Sequence, residues 1–430
     1  METYGKILLI AIPFFLGLIL IEKLYGVFVK RDYTPTMDMF SSLLSGITNI
    51  TKDVLGLSIS ILTYEWLVGE IAFFNIETTW ISIAIAFIVL DFQAYWVHRW
   101  AHEINIFWNK HVVHHSSEEF NLPCALRQSI SQFFNLFTFF LVPAALIGVP
   151  AEVIAIIAPL HLFLQFWYHT RHIGKMGFLE HIIVTPSHHR VHHAMNSEYL
   201  DKNYAAIFIF WDKWFGTFQE ELDDVTPVYG ITRPARTWNP IKINFQHLWL
   251  LLLDAWRTKS WEDKFRIWFK PTGWRPADLE ARYPVSKIED VYHFEKFNPK
   301  TPKYVQIWSM FQLVVMILLG LYFFGNLAEI GVPGIYWYGI YMFISVYALA
   351  EFAEGNIKAP LFETFRYFVG LGMIYINNGW FGVDAYGFGL TYLVFLYMTL
   401  SLFVVFVLNR IQFDETYTPI TTQKASETEK

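Results

Sequence analysis

The sequence predicts an all-α fold: a multi-pass integral membrane bundle of about nine spans, capped on its cytoplasmic side by a polyhistidine metal-binding layer. Three observations predict it. The chain of 430 residues is 54% hydrophobic and 19% aromatic but only 16% charged, against about 25% in an ordinary soluble domain. Its apolar runs reach the roughly 17–25 residues needed to cross a bilayer. Of its 15 histidines, 13 fall between His98 and His193, a cluster that neither lipid contact nor core packing requires.

Composition also excludes. A net charge of −6 gives no reason to expect nucleic acid. The single cysteine, Cys124, rules out an intrachain disulfide and any cysteine-based zinc site. A metal must therefore be held by His, Asp or Glu.

The candidate spans are 7–29, 54–74, 79–97, 130–147, 151–169, 304–325, 331–353, 364–382 and 386–408. The first is expected to be a retained span, because Lys6 is followed by apolar residues with no small-residue cleavage site. The fourth and fifth meet at Gly148-Val149-Pro150, which predicts a hairpin, and runs this short include candidates for re-entrant segments. Lys and Arg concentrate in 30–53, 98–129, 170–303, 354–363 and the C-terminal tail, whereas 75–78, 326–330 and 383–385 contain none. This bias predicts the N-terminus outside and the C-terminus in the cytoplasm. The expected organisation is N-terminal spans over 1–78, a catalytic core over 79–220, a cytoplasmic or interfacial segment over 221–303, a four-span bundle over 304–410 and a disordered tail over 411–430. Within the third part, 244–269 mixes bulky apolar and basic residues and reads as a helix lying in the membrane interface.

The histidines carry the chemistry. "HRWAH" places His98 and His102 one helical turn apart. "HVVHH" gives His111, His114 and His115, and "HHRVHH" repeats that spacing with His189, His192 and His193. Two adjacent histidines plus one a turn earlier aim at two neighbouring points, which suits a two-metal site. "FWYHTRH" adds His169 and His172 at the end of the fifth run. Neutral imidazoles in a low-dielectric setting each need a partner, and repeated triplets have no packing rationale. His161 is read as a hydrogen-bonded helix contact, His181 as a surface or packing residue, and His247 and His293 as interfacial or surface residues. Imidazole alone does not choose among Zn, Cu, Fe and Ni. A near-saturating set of nitrogens favours redox chemistry over two-zinc hydrolysis.

These motifs resemble the fatty acid hydroxylase/sterol desaturase superfamily, whose pattern is HxxxH, HxxHH and a later HxxHH. The likeness continues in "HHSSEEFNLPCALRQS" (114–129), "TPSHHRVHH" (185–193) and "DKNYAAIFIFWDKWFGTF" (201–218), and covers about residues 80–220. Within the superfamily the chain most resembles the alkylglycerol monooxygenase family, on the SSExxNL element, the doubled HHRVHH and the extra C-terminal spans. The resemblance implies a non-haem di-iron, O₂-dependent monooxygenase that hydroxylates a lipid C–H bond. In the ether-lipid enzymes the carbon beside the ether oxygen is hydroxylated, and an aldehyde and a glycerol derivative result, with tetrahydrobiopterin as reductant. It implies catalytic roles for the eight histidines of the three motifs and a further ligand at His169, with His172 beside it. Glu118, Asn121, Arg127, His188 and Asp212 are candidates to support these ligands from behind. Arg127 is expected to pair with a carboxylate or a lipid head group.

The expected partners are a membrane lipid, O₂ and an electron donor outside this chain, either a reductase or a pterin. The membrane is the endoplasmic reticulum in a eukaryote or the cytoplasmic membrane in a bacterium. A sterol or fatty-acyl hydroxylase or desaturase is the alternative within the superfamily. A metal transporter or storage protein is the alternative from another class, but it predicts polar ligands deep within several spans.

Overall fold

The computed structural model describes residues 2–57, 59–60, 63–132, 134–135 and 137–416. Residues 7–297 form one compact unit, and residues 1–6 with 298 onward form another.

α1 (Glu2–Phe28), which belongs to the larger unit from Ile7 on, is followed by α2 (Thr36–Val54), the short α3 (Tyr64–Ile71) and the long α4 (Trp80–Glu103). α4 starts where Thr79 and Ser82 cap each other: the Thr79 N–H donates to Ser82 Oγ at 2.8 Å and the Ser82 N–H to Thr79 Oγ1 at 3.3 Å. It stops at the extended residue Ile104, and α5 (Asn105–His115) begins at once. The corner is held from outside. The N–H groups of Asn105 and Ile106 donate to the carbonyls of Lys270 and Trp268, each at 3.0 Å. The unpaired donors of a helix start are thereby satisfied.

Beyond α5 come α6 (Val142–Ile147), α7 (Ala151–Phe163), α8 (Pro186–His193), α9 (Phe210–Phe215), α10 (Pro240–Arg257), α11 (Trp261–Arg266) and α12 (Ala277–Glu280). The only described strands are a two-residue parallel ladder, Ile59–Ser60 beside Phe134–Asn135.

Five described helices are long and apolar enough to cross a membrane: Gly5–Phe28, Trp80–Glu103, Lys303–Gly325, Gly334–Ala353 and Leu390–Ile411. The sequence reading expected about nine. Of the four remaining runs, 364–382 falls largely on the unbroken 18-residue helix Ala359–Ile376, and the other three have a hydropathy that suits a span but a backbone that breaks. In 54–74, α2 ends at Val54, Gly56 takes a positive φ and α3 is only 8 residues long. In 130–147 the helical residues are a short 3₁₀ turn and α6. α7 has 13 residues with Pro159 inside it, or about 20 Å of helix against roughly 30 Å of hydrocarbon. The expected break at 148–150 is present, with Gly148 left-handed at the end of α6 and Pro150 opening α7. A Cβ on Gly148 would lie 1.8 Å from the Phe74 carbonyl oxygen, so this close approach needs glycine.

The stretch read as one interfacial helix is two, α10 and α11, parted at Thr258–Ser260. One face of α10 buries Asn244, His247, Leu251 and Asp254. The other exposes Trp249, Leu252 and Trp256, and Trp261, Phe265 and Phe269 follow in the same exposed state.

In the smaller unit, α13 (Lys303–Gly325), α14 (Leu327–Ile330), α15 (Gly334–Ala353), α16 (Ala359–Ile376) and α17 (Leu390–Thr416) pack as a bundle. α16 carries Glu363 and Arg366, which pair inside it, and Arg366 also donates to Gln312 Oε1 at 3.2 Å and Ser401 Oγ at 2.8 Å. Residues 411–416, expected in a disordered tail, continue α17, and 417–430 lie outside the described residues.

Candidate metal centre

Two of the histidine-bearing helices feed two separate groups, and helical geometry is the reason. Residues three and four apart share a face but are offset by part of a turn. On α5, His111 and His115 turn toward His98, His102 and His192, while His114 turns toward His169, His189 and His193. On α8, His192 joins the first set, and His189 and His193 join the second. In each group one ring nitrogen from every member lies within 4.8 Å of the others. The groups adjoin: the His115 and His193 rings stack at 4.4 Å.

The close contacts within the groups are nitrogen to nitrogen. His98 Nε2 is 2.7 Å from His111 Nε2, which is 3.0 Å from His115 Nε2, which is 3.1 Å from His102 Nε2. In the second group His169 Nε2 is 2.9 Å from His189 Nε2 and 3.3 Å from His114 Nε2, and His193 Nε2 is 3.1 Å from His189 Nε2.

Protons cannot account for such a network. His98 Nδ1 lies 2.7 Å from the Tyr204 carbonyl, His192 Nδ1 2.9 Å from the Lys202 carbonyl and His169 Nδ1 2.9 Å from the Gln165 carbonyl. A carbonyl only accepts, so Nδ1 must donate in each ring, and a neutral ring is left with a bare lone pair at Nε2. These lone pairs point into the two groups, and His192 Nε2 is buried there with no hydrogen-bond partner. Nitrogens about 2.1 Å from one ion lie roughly 3 Å apart at right angles, close to the separations found. The donor set fits a metal ion in each group.

Burial keeps the imidazoles neutral. It holds His169 down at about 4 and pushes His111, His114, His115, His189, His192 and His193 well below the ordinary imidazole range, with neighbouring imidazoles adding to the effect. Neutral rings are the form that ligates.

The supporting layer is mainly backbone; a carboxylate, Asp201, faces His102 Nδ1 at 3.6 Å, but the acids expected there, Glu118 and Asp212, do not. Asp212 touches no imidazole. It accepts from the N–H groups of Tyr204 at 2.7 Å and Ala205 at 2.9 Å and from Thr217 Oγ1 at 2.7 Å, and so fixes the loop whose carbonyl holds His98. Burial raises its carboxyl to about 6. Glu118 accepts from the Phe297 N–H at 2.5 Å. Asn121 caps a 3₁₀ turn by accepting from the Cys124 N–H at 3.1 Å. Arg127 pairs with Asp38 at 2.5 Å and reaches Ser42 and Ser116. The side chains of these three fasten the 116–127 loop, and the backbone of Arg127 also faces the His114 ring.

His172, expected beside His169, lies outside both groups and packs against the rings of Tyr25 and Tyr33. The helix ends at Phe163 and the chain turns through Thr170, so His169 and His172 do not share a helical face. His188 also lies outside; its Nδ1 accepts from the Thr185 N–H at 3.3 Å and caps α8. His247 is buried rather than interfacial, with Nε2 donating to the Asn105 carbonyl at 2.9 Å. His161 pairs with Asp91 at 2.8 Å, the helix contact expected of it.

Asp91 is the residue the sequence reading passed over. Fully buried in α4, it also accepts from the N–H groups of Ile207 and Phe208 and from the Trp211 indole, at 2.9, 3.0 and 2.9 Å. A lone carboxylate inside an apolar run was the available signal.

A cavity of about 230 Å³ abuts the five-histidine group and is lined by His102, His115 and His192 at one end. Trp108 and Trp274 are among its walls.

Residues 83–217, which include all nine grouped histidines, match the fatty acid hydroxylase family model. The alkylglycerol monooxygenase of Homo sapiens is 35% identical over 363 residues, covering 83% of this chain and 80% of that protein. That of Danio rerio is 37% identical over 303 residues, covering 69% and 67%. The chain belongs to the alkylglycerol monooxygenase family. Ornithine lipid hydroxylase OlsE of Rhizobium tropici is a more distant relative, 27% identical over 152 residues, covering 35% of this chain and 46% of that protein. No solved structure matches the chain. Membership in this family makes the chain an O₂-dependent oxidoreductase.

Two outcomes follow from this geometry. Asp91→Asn replaces a carboxylate accepting four hydrogen bonds with a group that must turn an NH₂ toward donors. Metal retention is expected to fall about 10-fold or more, as for other residues that position ligands, measured by metal content after dialysis against chelator. In the metal-free protein, His169 and His188 sit at about 4 against about 6.5 unfolded. Between those values the unfolded chain binds protons that the folded chain refuses, so stability is lost as pH falls from about 6.5 toward 4. Thermal unfolding in detergent at stepped pH checks the sign.

Proposed function

We propose that the nine grouped histidines hold two non-haem iron ions and that the enzyme hydroxylates the ether-linked carbon of an alkylglycerol. The observation that carries this reading is the pair of adjoining groups of buried, neutral imidazoles in a chain of the alkylglycerol monooxygenase family. His98, His102, His111, His115 and His192 would hold one ion, and His114, His169, His189 and His193 the other. The catalytic role belongs to these nine, and His172 has no part in it. When bound, the iron supplies O₂ activation.

The balance is that of a monooxygenase. The ether carbon loses a hydrogen and gains a hydroxyl. One oxygen atom enters the lipid, and the other leaves as water, with two electrons and two protons from an external donor. Tetrahydrobiopterin is the donor that family membership favours. The resulting hemiacetal breaks its C–O bond to give an aldehyde and the free glycerol hydroxyl.

The protein's own residues position and shield. Tyr204, Lys202 and Gln165 orient imidazoles through their carbonyls. The cavity brings part of a substrate against His102, His115 and His192 and limits the water there. Residues 79–220 form the catalytic core on this reading, between N-terminal spans and a C-terminal bundle. The aromatic faces of α10 and α11, with Arg257, Lys264 and Arg266 nearby, suit a membrane surface. We place the site on the cytoplasmic face, of the endoplasmic reticulum or a bacterial membrane. A long alkyl chain can then stay in the bilayer while its head meets the histidines.

Purified protein loaded with iron, given an alkylglycerol, reduced tetrahydrobiopterin and air, should release the chain-length-matched aldehyde. Release should stop without O₂ and fall by about 100-fold or more in His115→Ala, as when a residue essential to chemistry is removed. Hydroxylation of a sterol or fatty-acyl lipid, with no aldehyde from the ether, would move the assignment to another branch of the superfamily.

A further inference from the structure

The cavity beside the five-histidine group has an opposite end, and its chemistry there is cationic. Arg233, Gln246, Val285 and Lys287 line both this cavity and an outer basin of about 640 Å³, so they form the neck between the two. Of the other charged residues lining the inner cavity, Asp201 lies at the histidine end, 3.6 Å from His102 Nδ1, and Arg275 donates to both carboxylate oxygens of Asp254, at 2.6 and 2.8 Å. Arg233 has no such partner. Its half-buried guanidinium makes no hydrogen bond or ion pair with any described residue. Burial and the neighbouring Arg275 both act against its charge, and only Asp254, committed elsewhere, favours it. Lys287, exposed at the same neck, adds a second unpaired cation. On the basin side Arg236 contributes a third cation, and Glu289, Asp290 and Glu295 also line that basin.

A guanidinium held partly out of water without a counter-ion is costly, and its planar fork matches phosphate oxygens two at a time. The cavity is smaller than the roughly 300–1,000 Å³ that encloses a whole small-molecule ligand. It suits a compact polar head rather than a head with a long chain.

We propose that Arg233, assisted by Lys287, binds an anionic phosphate-bearing head group of the lipid substrate and selects it over a neutral head. This deepens the ether-lipid reading and rests on it. With the phosphate at the neck, the glycerol portion lies along the cavity and the ether carbon reaches the five-histidine end. Arg233 is a specificity residue that touches substrate away from the reacting carbon.

The test compares a hexadecyl glycerol ether with the same ether carrying a phosphate monoester on its terminal glycerol hydroxyl, using the full-length iron-loaded protein. Wild type should show the lower KM for the phosphate ether. Arg233→Gln should raise that KM about tenfold or more with kcat nearly unchanged, the pattern of lost ground-state binding, and leave the neutral ether within about twofold. Arg233→Lys should recover part of the loss, and Lys287→Gln, at an exposed position, should move KM the same way by less. Equal changes for both ethers, or no preference in wild type, would overturn the proposal.

Binding read from quenching of cavity tryptophans keeps the two readings apart. If wild type turns over neither ether yet binds the phosphate ether in an Arg233-dependent way, the proposed reaction fails and the head-group site stands. If both ethers react without discrimination, the reaction stands and the site fails. Inorganic phosphate binding as tightly as the phosphate ether would assign the neck to free phosphate and end the lipid-head assignment.

Discussion

A neutral imidazole has one proton and one lone pair, and the centre depends on where the proton is spent. Three backbone carbonyls, at Tyr204, Lys202 and Gln165, each take an Nδ1 proton. The lone pairs of His98, His192 and His169 are thereby committed to the interior of the two groups. Everything that fixes those carbonyls becomes part of the site. Asp212 fixes the turn at Tyr204, and Asp91 ties the following segment to α4, the helix that carries His98 and His102. Two buried carboxylates thus act on the histidines only through backbone, which is a stiffer arrangement than a carboxylate on a free side chain.

The second constraint is the helical period. A helix presenting positions i, i+3 and i+4 cannot aim all three at one point, and here α5 and α8 each divide their histidines between two points. The corner at Ile104 sets α5 against α4 so that His98 and His102 face His111 and His115. The segments that pin this corner come from 267–274, far along the chain. Residues 267–274 therefore support the histidine groups, and residues between 230 and 287 also wall the adjoining cavity.

What the sequence disclosed follows this division. The three histidine motifs were legible because their periodic pattern has no packing rationale, and all eight of their histidines fall in the two groups. His169 and His172 were read together from "FWYHTRH", because a sequence does not reveal that the helix stops at Phe163. His188 was read as supporting the ligands from behind because it adjoins His189, whereas its Nδ1 accepts the Thr185 N–H at a helix start. His247 was misplaced because the apolar residues around it in α10 belong to an outward face, while His247 itself turns inward. Five described helices rather than nine have the length and hydropathy of a span, in part because Gly148, Pro150 and Pro159 divide apolar runs into half-length helices. Carbonyl partners leave no mark in a sequence at all.

The measurement that bears most directly on this account is iron per chain in the purified, anaerobically reconstituted protein, by elemental analysis of wild type and His169→Ala. Two adjoining groups predict about two irons in wild type and close to one in the variant, whose loss falls on the second group. Tight stoichiometric zinc that iron cannot replace would contradict the redox assignment, and no retained metal would contradict the centre itself.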